Sequence, residues 1–209
     1  CIRDSLIDGI DGLASGLSGV ACAFYAIVCL RNGLYTYSAL GAATLGSLLP
    51  FFYFNVFGDA LKHRKIFMGD TGALTVGLFL SVMCISICRL DMAASHANSA
   101  VIGVAPLLIP GFDVIRVYIH RIRANRNPFL PDKTHIHHKL LALGIRQRHA
   151  MMTILGTSAL LTAANYFLSP YVDITLLFIG DIALWVAVNM ILTRRIHARE
   201  KRLNVSLYR

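Results

Sequence analysis

Acidic side chains are scarce in this 209-residue chain: there are 11, and Glu200 is the only glutamate. Charged residues of both signs reach only 15%, against roughly 25% in an average soluble domain. That shortage removes the Glu/Lys pairing that solubilises surface helices, and it excludes a disordered chain and a charged coiled coil. The five cysteines show no C-x-x-C or zinc-ligand spacing and read as small apolar packing residues. No repeat of 20–50 residues is visible, which excludes a solenoid. Cys1 opens the chain without a signal-peptide pattern and a dense polar motif follows at once, the expectation for a fragment of a longer protein.

What is abundant is apolar: 56% of residues, with a mean hydropathy of +0.61. Six stretches approach the roughly 20 helical residues that cross a hydrocarbon core: 14–30, 38–57, 72–88, 99–117, 151–168 and 172–192. The expected fold is therefore all-α, a polytopic membrane helix bundle forming one domain over 1–209. A cytoplasmic His/Arg/Lys-rich loop is expected over 118–150 and a basic tail over 194–209. The small-residue face Gly41-Ala42-Ala43 with Gly46 is expected to lie unpacked for want of partner helices, favouring aggregation or association with another chain. If the spans alternate, all of the 20 Lys and Arg residues except Arg31 and Arg89 fall on one side. By the positive-inside rule both termini and both large polar loops are then cytoplasmic. The net charge of +9 is thereby explained by topology, with no nucleic acid as partner.

Three polar motifs lie on that side. In the first, Asp8-Gly9-Ile10-Asp11-Gly12, a helical backbone would put Asp8 and Asp11 on one face, with two glycines leaving room for a ligand or a neighbouring helix. Paired carboxylates suit metal binding, general-base work or contacts to a base or sugar; alternatively Asp4, Ser5 and Asp8 cap an entering helix. The second motif, Phe67-Met68-Gly69-Asp70-Thr71-Gly72, opens the third span. Asp70 is either its N-cap or a ligand for Mg²⁺ beside a helix end that faces phosphate oxygens, and the two roles are compatible. The third holds His135, His137 and His138. No cysteine accompanies them, and Lys133 and Lys139 flank them, with Arg121, Arg123 and Arg126 upstream. That setting opposes a dication and suits a pyrophosphate or lipid phosphate. A basic loop that only sets topology and touches anionic lipid is the plainer reading. Asp113, after Pro110 and Gly111, is expected near the cytoplasmic site; Asp181, deep in the sixth span, equally suits an interhelical hydrogen bond.

Taken in order, LIDGIDGLASG at 6–16, IFMGDTGAL at 66–74, IPGFDVIRV at 109–117 and PFLPDKTHIHHKLLALG at 128–144 resemble the polyprenyl-phosphate N-acetylhexosamine-1-phosphate transferase superfamily. The HIHH form is more similar to the GlcNAc-type branch than to the pentapeptide branch. The resemblance implies transfer of a sugar-1-phosphate, GlcNAc-1-phosphate, from a UDP-N-acetylhexosamine to undecaprenyl or another polyprenyl phosphate, releasing UMP, at the bacterial inner membrane with a cytoplasmic site. It implies Asp70 as a Mg²⁺ ligand, with Mn²⁺ as substitute, and Asp8 and Asp11 in the nucleotide and catalytic site. It also implies that His135, His137 and His138 form a loop over the sugar pyrophosphate, with Lys133, Arg123 and Ser5 as further substrate-binding residues. Membrane lipid and a homodimeric partner copy complete the expected contacts. Ser5 stands where the family carries Asn. A paired-aspartate motif and an N-terminal half are missing from what would be a ten- or eleven-helix fold, so this stretch alone is expected to be inactive. A proton-coupled transporter using Asp113 and Asp181, or a non-catalytic membrane subunit, are the alternatives.

Overall fold

A computed structural model describes residues 10–58, 64–90, 98–123, 125 and 135–203. Among them there is no strand. Eight helices follow one another: α1 (Leu13–Arg31), α2 (Tyr35–Phe57), α3 (Gly69–Cys88), α4 (Ser99–Val104), α5 (Leu108–Arg123), α6 (Ile136–Ala142), α7 (Gln147–Leu168) and α8 (Ile174–Leu203). A single 3₁₀ turn, Ala105–Leu107, joins α4 to α5 at Pro106. Counting α4 to α5 as one unit, six helices are long and apolar enough to cross a membrane. The chain is thus an all-α, multi-pass membrane protein.

α1 and the α4–α5 unit lie inside the bundle. Ala21, Cys22, Tyr25, Val28 and Cys29 of α1 form one core with Leu48 of α2, Leu80, Met83 and Ile87 of α3, and Ile102 of α4. The buried Tyr25 hydroxyl donates to the Gly103 carbonyl at 2.7 Å, joining α1 to α4 without leaving a polar atom in the apolar core. Cys22 and Cys29 are buried and free, as packing residues should be. α8 turns most of its length outward, exposing Leu176, Ile179, Leu184 and Met190; in a bilayer such a surface meets lipid.

α1 and α2 form a hairpin. Its turn holds Gly33 at φ +73°, a left-handed conformation that favours glycine. The Leu34 amide returns to the Cys29 carbonyl at 2.9 Å, closing the end of α1. Gly41 packs on Ala26, and Ser38 donates to the Ala26 carbonyl at 2.9 Å. Gly41 therefore finds its partner helix within the chain, contrary to expectation, while Ala42, Ala43 and Gly46 face outward.

The helices outrun their apolar stretches. α5 continues to Arg123, α7 already begins at Gln147, and α8 runs through Arg194 and Arg195 to Leu203. The segment 118–150 is consequently not a bare loop, and 194–203 is not an irregular tail. A helix satisfies its backbone internally and can run past its apolar stretch into water, which its long basic side chains reach.

Candidate active site

α1 is entered through a turn at residues 10–12, so this part of the first motif is not helical as the one-face argument for Asp8 and Asp11 supposed. Gly12 is the reason. It holds φ +81°, and a Cβ there would run into Val56 and Met151; no side chain fits, and the backbone conformation is one that favours glycine. Its amide donates to Asn55 Oδ1 at 2.5 Å, and Asn55 Nδ2 donates to the Ile66 carbonyl at 2.8 Å. One buried amide side chain thereby ties the first motif to the strip leading into the second. Beside it, Lys65 Nζ donates to Asp11 Oδ2 at 2.6 Å, a half-buried ion pair between the same segments. Asp8 and Ser5 lie outside the described residues.

Asp70 occupies the second position of α3, after Gly69 at φ +64°. The N-cap position is Met68, without a side-chain cap, so Asp70 is not the N-cap. Its carboxylate is exposed in the first helical turn, where the N-terminal end of the helix dipole favours a negative charge. No hydrogen bond or ion pair engages it among the described residues. The donor chemistry fits Mg²⁺, a hard cation that usually keeps several waters and takes one or two carboxylates together with substrate phosphates. Among the described residues no three His, Cys, Asp or Glu side chains gather as a cage.

The histidines are set by α5. Asp113, buried, accepts from Arg116 at 2.9 Å and from the Ile136 amide at 3.2 Å, and its Oδ2 lies 2.9 Å from His135 Nδ1. It thus caps α6 from another helix. His135 and His137 are buried with nearly parallel rings 5.7 Å apart, and the His138 ring lies 4.2 Å from His137. At the other end of α6, Arg199 of α8 donates to the Ala142 carbonyl at 3.1 Å, in space that a side chain at Gly144 would fill. The basic segment after 194 is therefore partly a structural strut.

Lys139 differs from its expected place beside the histidines. Its ammonium turns toward α8, donating to Asn189 Oδ1 and Thr193 Oγ1, each at 3.1 Å. Burial, reinforced by the nearby Arg116 cation and opposed by Asp113, lowers its pKa to about 8. Arg123 is exposed at the end of α5. Lys133 lies outside the described residues.

Apolar packing brings the first and third motifs together. Ile10, Leu13 and Leu17 share a core with Ile109 of α5, Ile136 and Leu140 of α6, and Met151 of α7. A cavity of about 30 Å³, enough for a water, is bounded by Leu13, Asp113, His135 and His137. Asn55 and Lys65 draw in the approach to the second motif, so all three segments meet at one end of the bundle. That is the end carrying the described cations other than Arg31 and Arg89. Asp181, by contrast, receives a hydrogen bond from Asn165 of α7 at 3.2 Å, the interhelical one of the two roles that the sequence left open. Sequence reasoning missed Asn55 and gave Lys65 only a topological role. The usable signal was an amide within an apolar span, a group that must find partners.

Residues 5–88 match the family described as Glycosyl transferase family 4. The chain is 37% identical over 151 residues to the probable undecaprenyl-phosphate N-acetylglucosaminyl 1-phosphate transferase of Bacillus subtilis, covering 72% of this chain and 40% of that protein. It is 31% identical over 159 residues to the undecaprenyl-phosphate alpha-N-acetylglucosaminyl 1-phosphate transferase of Escherichia coli K12, covering 76% and 42%. With the decaprenyl-phosphate N-acetylglucosaminephosphotransferase of Mycobacterium leprae the identity is 31% over 186 residues, covering 79% and 45%. The chain spans less than half the length of these relatives.

Proposed function

Because the chain belongs to the polyprenyl-phosphate N-acetylhexosamine-1-phosphate transferase superfamily, we propose that it supplies part of a membrane enzyme moving GlcNAc-1-phosphate from a UDP-sugar to a polyprenyl phosphate. The observation that carries this reading is the convergence of the three motifs at the basic end of the bundle. There a lipid phosphate held in the bilayer can meet a water-soluble nucleotide sugar.

In the proposed reaction an oxygen of the lipid phosphate attacks the sugar-bearing phosphorus. A new P–O bond forms as the bond to the UMP oxygen breaks, and the electron pair leaves with UMP. Such a transfer depends mainly on positioning and on charge stabilisation. Asp70 would hold the Mg²⁺, which, when bound, supplies positive charge to the pyrophosphate oxygens. The histidines, anchored through Asp113 at one end of α6 and Arg199 at the other, offer N–H donors on a rigid support. Lys65 neutralises Asp11, which keeps this carboxylate from repelling an incoming phosphate. The one-sided distribution of Lys and Arg supports a cytoplasmic site, and the bacterial relatives support an inner-membrane enzyme.

The test is an assay of the full-length protein with UDP-GlcNAc and undecaprenyl phosphate, following UMP and lipid-linked sugar together. Equal release of both that requires both substrates supports the reading. Protein that is folded and yields neither overturns it.

A further inference from the structure

α5 and α8 approach each other at Phe112 and Trp185, two half-buried rings with centroids 6.2 Å apart. Toward the cytoplasmic end they separate around a cavity of about 700 Å³, partly floored by Lys139 of α6. The polarity of its walls changes in the same direction on both helices. On α5 the lining runs from Phe112 and Ile115 to His120 and Arg123; on α8 it runs from Ile182 and Trp185 to Thr193 and Arg194. At about 1.5 Å per residue each wall extends roughly 16–18 Å from apolar depth to basic rim.

Two features say what such a cleft holds. Among the described residues its lining contains Arg116, Arg123, Lys139 and Arg194 but no carboxylate, and Asp113 is paired with Arg116. The excess of positive charge calls for an anion. Lys139 is buried and its ammonium is fixed by Asn189 and Thr193, which leaves one of its three N–H donors for a ligand. The apolar half is built from the candidate spans Ser99–Arg123 and Ile174–Lys201, and a soluble anion would have nothing to bind there. A phosphate carrying a hydrocarbon chain satisfies both halves.

We propose that this cleft binds an anionic phospholipid of the surrounding membrane, with its phosphate diester at the Lys139–Arg194 rim and an acyl chain against Phe112 and Trp185. The lipid fills the gap between α5 and α8, the two helices that clamp α6. It is a fixed part of the histidine support and not the acceptor of the transfer. This inference rests on the membrane-spanning reading and stands whether or not the transferase activity is found.

The experiment is native mass spectrometry of the full-length protein, released from nanodiscs of phosphatidylglycerol, of phosphatidylcholine, or of an equal mixture. Retention of one phosphatidylglycerol, preferred over phosphatidylcholine, is expected. Arg194→Glu should weaken that retention roughly tenfold, and Val186→Trp, which fills the apolar half, should abolish it. Folding of both variants is checked by circular dichroism; if either is unfolded, the headgroup preference of the unsubstituted protein decides. Equal retention of the two lipids, or no retained lipid, overturns the proposal. Displacement by inorganic phosphate would show a site for free anions, and displacement by equimolar undecaprenyl phosphate would assign the cleft to the acceptor; either result also overturns it.

Discussion

The carboxylate of Asp113 and the imidazole of His135 lie 2.9 Å apart across 22 residues of sequence. The same carboxylate accepts the first amide of α6 and pairs with Arg116. One buried acidic group therefore fixes where the histidine helix starts and which way its first ring faces. Asp113 is a positioning residue in this reading, because it acts through His135. Asp113→Asn keeps the shape and can still accept from the Ile136 amide, but it loses the charge facing Arg116 and His135. The expected effect is a fall in kcat on the order of tenfold to a hundredfold, from a displaced helix, with a stability loss of about 1.5–3 kcal/mol. UMP-release kinetics beside a thermal midpoint check it. A loss of stability with unchanged kcat would reduce Asp113 to a packing role.

Asn55 links two motifs through two hydrogen bonds, so Asn55→Leu leaves the Gly12 amide and the Ile66 carbonyl without their partner. Each orphaned group costs about 1–3 kcal/mol where water cannot reach it. The expected result is a lowered thermal midpoint and faster hydrogen exchange at the Gly12 amide. Gly12→Ala should be worse, because it adds a clash with Val56 and Met151 to a disfavoured backbone conformation. Exchange at Gly12 that matched the unsubstituted protein in Asn55→Leu would contradict the link.

Lys139 carries a pH signature. Its folded-state pKa, lowered to about 8 from 10.5, means that the folded state gives up this proton before the unfolded state does. Between about pH 8 and 10.5 the unfolded chain binds more protons, so this residue's contribution to stability rises with pH. Below about pH 8 both states hold the proton and the full cost of the buried charge is present. Lys139→Met removes the charge and keeps the length. The difference in thermal midpoint between the two proteins should favour the variant at pH 7 and shrink by pH 10. A difference that stays constant with pH would show that burial does not perturb this lysine.

The six spans could be read from sequence because each is a continuous apolar run, and burial of such a run in lipid outweighs local detail. Their ends could not. Nothing in the hydropathy of α8 tells that Arg199 returns to the Ala142 carbonyl, and nothing in 118–150 tells that α6 folds within it. The motifs gave residue types and their common end of the bundle. They did not give the joints, since Asp113 with His135, Asn55 with Gly12 and Lys139 with Asn189 are pairs fixed only by tertiary packing. Asp70 shows the opposite limit. Local sequence allowed a cap, and the backbone instead begins the helix two residues earlier than that cap would, with Gly69 accepting the left-handed conformation at the entry.

That placement makes Asp70 a clean test of chemistry against architecture. Its carboxylate is exposed, has no protein partner among the described residues, and contributes to the fold mainly through the start of α3. Replacing it with Asn should therefore cost only about 0.3–1 kcal/mol of helix-dipole stabilisation, leaving the thermal midpoint nearly unchanged. If it holds the Mg²⁺ shared with the pyrophosphate, the same change should lower kcat by roughly a hundredfold or more, because the charge that stabilises the transition state is misplaced or lost. Titrating UMP release against Mg²⁺ separates the two roles. The unsubstituted full-length protein should saturate with metal, and Asp70→Asn should need far more metal or fail to respond. Turnover close to normal at the same metal concentration would show that this carboxylate only steadies the first turn of α3.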